Sequence, residues 1–339
     1  MLPPPSIGER GDRGPSPLRP PTTPFRVEAL SPIDSELHPV IHAGRVAVIT
    51  GAASGIGRAA AREFARLGLK VAIADVNTKG LMALAEELCA KYGETNVLAV
   101  ATDVSKLEDV VRLRERVYEA WGEVAVLLNN AGIGEKGDSF EGLINWKAVL
   151  DVNLLGYVLL CDARHGIRGD VLNVQHTFVP MMLHQENQSV IINTGAKEGI
   201  TNSPGNAAYN ASKAAVKSLT ESLAYELRSR PHVNVRAHLF IPGWTWTGLT
   251  AGEANQDDIE TKPAGAWTAI ETVEYMLDRV RTGDFYILVP DNERRREVDQ
   301  LGILWGAGDV AEGRPALSQW HPTYKSMYEE YLRDSLASL

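Results

Sequence analysis

The sequence predicts an α/β protein, a single doubly wound domain in which about seven parallel strands carry helices on both faces. Three observations predict it. Short apolar, β-branched runs recur from residue 46 onward, stretches of helical period separate them, and no internal repeat or second hinge-like linker divides them. In order, strands are expected at 46–50 (VAVIT), 71–75 (VAIAD), 97–101 (VLAVA), 124–129 (VAVLLN), 189–193 (SVIIN), 233–240 (VNVRAHLF) and 285–289 (FYILV). Helices are expected over 57–67, 81–92, 107–121 and 207–227, where polar residues oppose an apolar stripe. Buried strands joined by helical crossovers read as a parallel sheet.

The flanks differ from this middle. Ten of the 18 prolines fall within residues 1–40, with scattered Arg, Ser and Gly, so this segment is expected to be a disordered tail that cannot bury enough surface to offset its ordering entropy. The domain is expected over 41–290. Residues 291–339, which carry Trp305, Trp320, Tyr324, Tyr328 and Tyr331, are expected to extend beyond it and to pack over it or over a neighbouring subunit.

Across all 339 residues, 34 Lys+Arg against 43 Asp+Glu leave a net charge of −9, which repels a polyanion and excludes a nucleic-acid partner. Cys89 and Cys161 are too few for a disulfide framework and lack metal-ligand spacing. His165, His176 and His184 form no metal cluster either, so no metal is expected. No apolar run approaches the roughly 20 residues that span a bilayer. A soluble, cytoplasmic protein without a membrane partner is expected.

Directly after the first strand comes Thr50-Gly51-Ala52-Ala53-Ser54-Gly55-Ile56-Gly57, followed by a helix. Glycines at a strand-to-helix turn let backbone approach a pyrophosphate, whose charge the helix N-terminus stabilises. Asp75 closes the next strand 18 residues after Gly57, where a carboxylate accepts from ribose hydroxyls and repels a 2′-phosphate. NAD is therefore favoured over NADP, with Arg58 and Lys79 as nearby cations that keep NADP open.

The TGxxxGxG spacing, the NNAG of Asn129–Gly132 and the YNASK of Tyr209–Lys213 together resemble the short-chain dehydrogenase/reductase family over about residues 44–290. The resemblance implies a Rossmann-like fold and a nicotinamide-dependent oxidoreductase, with substrate held over the C-terminal ends of the strands. It also implies that Asp103 and Val104 edge the adenine, and that Asn129, Asn130, Ala131 and Gly132 support the central strand and the cofactor ribose. Pro242-Gly243 with Thr247 is similar to the family's nicotinamide-contacting PGxxxT segment. Asn153 matches the helix asparagine that holds a water connecting the lysine to solvent. A homodimer or homotetramer is within what the family allows.

Tyr209 and Lys213 also carry an argument of their own. Four apart on a helix, they share a face, and an ammonium beside a phenol lowers a pKa that starts near 10. Tyr209 is thus expected to act as base for alcohol oxidation or acid for carbonyl reduction.

Two departures from the family pattern stand out. The family's catalytic serine, 13 residues before the tyrosine, is Ala196 here. Losing such a donor typically removes about 2.7–4 kcal/mol, roughly 10²- to 10³-fold in rate. Thr194 and Ser203 are the candidate stand-ins. Asn153 and Pro180 are 27 residues apart, about 14 more than the family spacing, so residues 157–170 are expected to be an insertion that bulges as a loop.

After the sixth strand, Trp244 and Trp246, with Trp267, fall where the family places a substrate lid, and their indoles suggest a hydrophobic alcohol or ketone. The leading expectation is an oxidoreductase interconverting a secondary alcohol and a ketone, impaired by Ala196. The alternatives are an NAD-binding protein with little redox activity and a site repurposed for a non-redox step.

Overall fold

A computed structural model describes residues 38–134, 137–140, 142–154, 170–251, 262–291 and 296–339. Strands and helices alternate as β1 (Val46–Thr50), α1 (Gly55–Arg66), β2 (Lys70–Asp75), α2 (Thr78–Tyr92), β3 (Val97–Ala101), α3 (Leu107–Trp121) and β4 (Val126–Asn129). There follow α4 (Leu143–Asn153), α5 (Asp170–Met182), β5 (Ser189–Thr194), the one-turn α6 (Glu198–Thr201), α7 (Ala207–Arg228) and β6 (Val235–Ile241). Two short strands, β7 (Thr245–Trp246) and β8 (Trp267–Thr268), flank the one-turn α8 (Gly248–Ala251) and pair with each other. Then come α9 (Ala269–Thr282) and β9 (Tyr286–Leu288).

The main sheet runs β3-β2-β1-β4-β5-β6-β9, parallel throughout. It is a Rossmann-like α/β fold. Strand order reverses between β1 and β4, and a crevice opens there at the carboxyl ends of the strands, the place where such sheets bind ligands.

Alternation within the apolar runs decides which helices each side chain meets. Ala47 and Ile49 of β1, Val71 and Ile73 of β2, and Val190 and Ile192 of β5 share one core with Phe64 of α1, Leu84 of α2 and Val273 of α9. The intervening Val46, Val48, Ala72, Ala74 and Ile191 share the opposite core with Leu113 of α3, Phe178 of α5 and Leu227 of α7. A one-residue slip in any strand would exchange the two sets. Each fully buried side chain of this size contributes about 1.5–3 kcal/mol. Local signals place the helix ends: α9 starts with a reciprocal capping box between Thr268 and Glu271 and stops at the left-handed Gly283.

Residues 38–40, counted with the tail by composition, belong to the domain. Val40 and Ile41 are buried in the first core, and Arg45 donates to the Pro39 carbonyl. The rest of the predicted tail lies outside the described residues. So does the predicted 157–170 insertion, except Asp170, which begins α5. The chain divides into two compact units, Leu30–Arg296 and a second whose described part is Glu297–Leu339. Within that second part, α10 (Arg296–Glu312) and α11 (Lys325–Ala337) bring Trp305 against Tyr328 and Tyr331, with ring centroids 5.4 and 5.2 Å apart. The Arg314 guanidinium lies 3.9 Å over the Trp305 ring and pairs with Asp309 at 2.9 Å.

Candidate active site

The turn between β1 and α1 is shaped by backbone contact. A Cβ on Gly57 would lie 2.1 Å from the Gly51 carbonyl oxygen, and one on Gly51, whose φ is +65°, would lie 2.8 Å from Ala131 Cα. Only glycine permits these approaches. The Thr50 hydroxyl accepts from the amides of Asn130 and Ala131 at 3.0 and 3.1 Å, and Asn130 Nδ2 donates back to the carbonyls of Thr50 and Gly51. The β1 turn and the NNAG segment therefore form one rigid floor. Above it, Ser54 precedes α1 without capping it through its side chain, which suits a helix N-terminus that receives an anion. Asp75 is fixed at the end of β2: one carboxylate oxygen accepts from Ala53 N at 2.9 Å and the other from Asn77 N at 2.8 Å.

Tyr209 and Lys213 lie on α7. The Lys213 ammonium is buried, 5.7 Å from the centroid of the Tyr209 ring, and donates to the Thr194 carbonyl at 2.9 Å. Asn153, buried at the end of α4, accepts from Ile133 N and donates to Ile133 O, both at 2.9 Å, and donates to Ser212 Oγ at 3.0 Å. Ser212 in turn donates to the Tyr209 carbonyl at 2.7 Å. Asn153 thus joins the segment after β4 to the tyrosine helix. A Cβ on Gly132 would meet both Asn153 Oδ1 and Lys213 Nζ, at 3.3 and 3.5 Å. The expected fall in the phenol pKa is reversed here: burial pushes the Tyr209 phenol up, and the Glu198 carboxylate adds to the rise. Both oppose a second negative charge, and the lysine, engaged with Thr194, does not change the sign.

Two adjoining cavities meet at this residue. One, of about 310 Å³, runs along the crevice past Gly51, Ser54, Gly55, Asp75, Asp103, Val104, Asn130–Gly132, Thr194 and Lys213. The other, of about 410 Å³, is walled by Ala196, Lys197, Glu198, Asn206, Gly243, Trp244, Thr250 and Asp291. Ile56, Tyr209, Pro242, Thr247 and Leu249 line both. The residues of the first fit a dinucleotide: the glycines leave space that any Cβ would fill, and the buried Thr194 hydroxyl finds no partner among the described residues. Among the described residues no group of His, Cys, Asp or Glu could hold a metal, and no helix is long and apolar enough to cross a membrane.

The short chain dehydrogenase family model matches residues 45–258, more than half of the chain. The chain belongs to the short-chain dehydrogenase family. It is 35% identical over 244 residues to the 3-oxoacyl-[acyl-carrier-protein] reductase FabG of Thermotoga maritima, an alignment that covers 69% of this chain and 89% of that one. Among solved structures it is similar to a short chain dehydrogenase/reductase from Burkholderia phymatum in complex with NAD, at 31% identity and a TM-score of 0.68 over 81% of this chain and 96% of that one. It is also similar to a metagenomic short-chain oxidoreductase in complex with NADP, at 27% identity and a TM-score of 0.57, over 74% of this chain and 99% of that one. Membership makes the chain an oxidoreductase that acts on CH–OH groups with a nicotinamide dinucleotide.

Within this short-chain dehydrogenase, the sequence-predicted residues divide. Thr50 and Gly57 are buried and belong to neither lining, and Gly243 falls in the second cavity. Trp244 lines that cavity, but Trp246, expected beside it on a lid, is buried in the β7–β8 pair and belongs to neither lining. Trp267 packs edge-on against Tyr275. Neither expected stand-in for the serine reaches the second cavity, since Thr194 lines the first and Ser203 lies outside both linings. His176 and His184 are exposed, while Cys161 and His165 lie outside the described residues.

Several residues of the dehydrogenase went unmarked in the sequence. Gly199 lets the strand-5 loop run against α7, because a Cβ there would lie 2.5 Å from the Lys213 carbonyl carbon. Its signal was visible, as a glycine two residues after Lys197 in NTGAKEG. Asn193 accepts from Asn129 at 2.7 Å and donates to Gln175 and Thr220 at 2.7 and 3.0 Å, a buried network under the site. Asp291, beyond β9, carries no local signal at all.

Proposed function

We propose that this short-chain dehydrogenase interconverts a secondary alcohol and a ketone, with NAD favoured over NADP. The observation that carries the reading is the position of Tyr209 on the shared wall of the cofactor cleft and the second cavity. When bound, the nicotinamide dinucleotide supplies or takes up the hydride. In reduction the Tyr209 phenol gives its proton to the carbonyl oxygen; in oxidation the phenolate removes the proton of the alcohol. Lys213 would hold the ribose and favour the phenolate, while Asn153 fixes the helix that carries both. The raised phenol pKa keeps Tyr209 in the protonated form that reduction consumes, and a further positive charge nearby would favour the phenolate that oxidation needs.

Asp75 supports the preference for NAD. Its carboxylate is pinned by two amides at the cleft wall, so it cannot turn from an incoming 2′-phosphate. The second cavity favours a substrate with an apolar body against Trp244 and Leu249 and a polar end toward Lys197 and Asp291.

The test is titration with NADH and NADPH by fluorescence, then a panel of secondary alcohols and ketones with the wild-type chain and Tyr209→Phe. Expected is tighter binding of NADH, turnover by the wild type, and a loss of about 10²- to 10⁴-fold in Tyr209→Phe with NADH affinity kept. Binding of NADH without turnover of any panel member would favour a binding protein instead.

A further inference from the structure

Along β5 and its loop, one position lacks a hydrogen-bond donor and the next supplies one. Ala196 presents only a methyl group to the second cavity, and Lys197, which follows it, lines the same space. The Lys197 ammonium donates to Asp291 Oδ1 at 2.9 Å, with the two side chains 19% and 21% exposed. Asp291 is held in turn. The same oxygen accepts from Trp244 N at 2.7 Å, and a Cβ on Gly243 would lie 2.8 Å from it. The ammonium is therefore anchored to the wall formed by the ends of β6 and β9, and Lys197, Asp291 and Tyr209 line the same cavity.

We propose that Lys197 is a catalytic residue whose ammonium donates a hydrogen bond to the substrate oxygen, in the place a hydroxyl at position 196 would take. This rests on the alcohol–ketone reading above. As the carbonyl carbon is reduced, negative charge gathers on its oxygen and Tyr209 supplies the proton that ends there. Lys197 keeps its own protons throughout; no bond to its nitrogen forms or breaks. An ammonium has three donors, so its bond to Asp291 does not by itself prevent it from donating to a substrate oxygen. A charged donor also gives the stronger, shorter bond, which would let the site act without the serine. Removing an oxyanion donor should then be felt at Lys197 and hardly at all at residue 196.

A cycle of four chains tests this: wild type, Lys197→Met, Ala196→Ser and the double variant, each assayed for turnover, for NADH affinity and for thermal unfolding. Lys197→Met is expected to lose about 10²-fold or more in kcat with NADH affinity unchanged. Ala196→Ser alone is expected to shift kcat by less than about tenfold, and the double variant to regain most of what Lys197→Met lost, because the hydroxyl replaces the ammonium. A lysine that only braces the loop through Asp291 would show no such rescue. Should Lys197→Met no longer bind NADH, Lys197→Gln takes its place in the cycle, since its amide still reaches Asp291 without charge; a smaller loss with the same rescue is expected. Full activity in the lysine variant, or a loss that Ala196→Ser fails to restore, overturns the role of Lys197. Turnover confined to chains carrying Ala196→Ser overturns that role alone. No turnover in any of the four, with NADH still bound, overturns the alcohol–ketone reading and this one with it.

Discussion

The two halves of the crevice are built by different means. On the β1–β2 side, the cofactor half is fixed by backbone meeting backbone: Gly57 against the Gly51 carbonyl, Gly51 against Ala131, and the Thr50 hydroxyl holding two amides of the NNAG segment. On the β5–β6–β9 side, the substrate half is walled by side chains from strand ends far apart in sequence, among them Lys197, Trp244 and Asp291. Backbone contact tolerates almost no substitution, whereas side-chain walls can be exchanged one at a time. The first half rests on glycines that no other residue can replace, and the second holds Ala196, where the family resemblance implies a serine.

The largest expected effect breaks the first half. Gly57→Ala forces a methyl to within 2.1 Å of a carbonyl oxygen that cannot move aside, so a loss of about 3 kcal/mol or more is expected, together with NADH binding. Thermal unfolding and NADH fluorescence measure it, and an unchanged variant would show that backbone contact does not set the cradle. Next comes Asp75→Ser. On the proposed role of Asp75 as acceptor for the ribose hydroxyls, this change should weaken NADH by about 10- to 100-fold and spare NADPH, since a charged hydrogen bond contributes about 1.5–3 kcal/mol. Equal losses for both coenzymes would mean that Asp75 serves the fold alone.

Changes in the substrate half should be milder and separable. Trp244→Ala removes a wall that is 44% exposed; a several-fold rise in KM is expected, about 1 kcal/mol, with kcat and NADH affinity held. A matching fall in kcat would move Trp244 into the reaction itself. The smallest change is Glu198→Gln. Burial and the Glu198 carboxylate both raise the Tyr209 phenol, and oxidation needs the phenolate, so its rate is present above that pKa and lost as pH falls through it. Without the carboxylate the oxidation limb should move to lower pH; a shift in the opposite direction, or none, contradicts the assigned cause.

The same contrast explains what could be read in advance. All seven strands of the main sheet fall at the expected runs, because strands covered by helices on both faces are mostly apolar, with polar exceptions such as Asn193, Arg236 and His238. The glycine turn was legible for a similar reason, since close approach leaves a residue type with no substitute. Trp246 is buried rather than on a lid because composition records an indole but not the long-range pairing of β7 with β8 that covers it. The buried network of Asn129, Asn193, Gln175 and Thr220 escaped notice because polar residues inside a core acquire meaning only from their partners.

Periodicity marked the strands, and the glycine turn, NNAG and the Tyr209–Lys213 spacing carried the family resemblance, because each is a local pattern written in nearby residues. Only the tertiary structure decided the surroundings of the tyrosine: that burial and Glu198 raise its phenol, and that Lys197 stands beside Ala196 tied to Asp291. Lys197 and Asp291 are 94 residues apart, and what joins them is the parallel order that brings the ends of β5, β6 and β9 together. Charge and desolvation act through space, so no reading along the chain contains them.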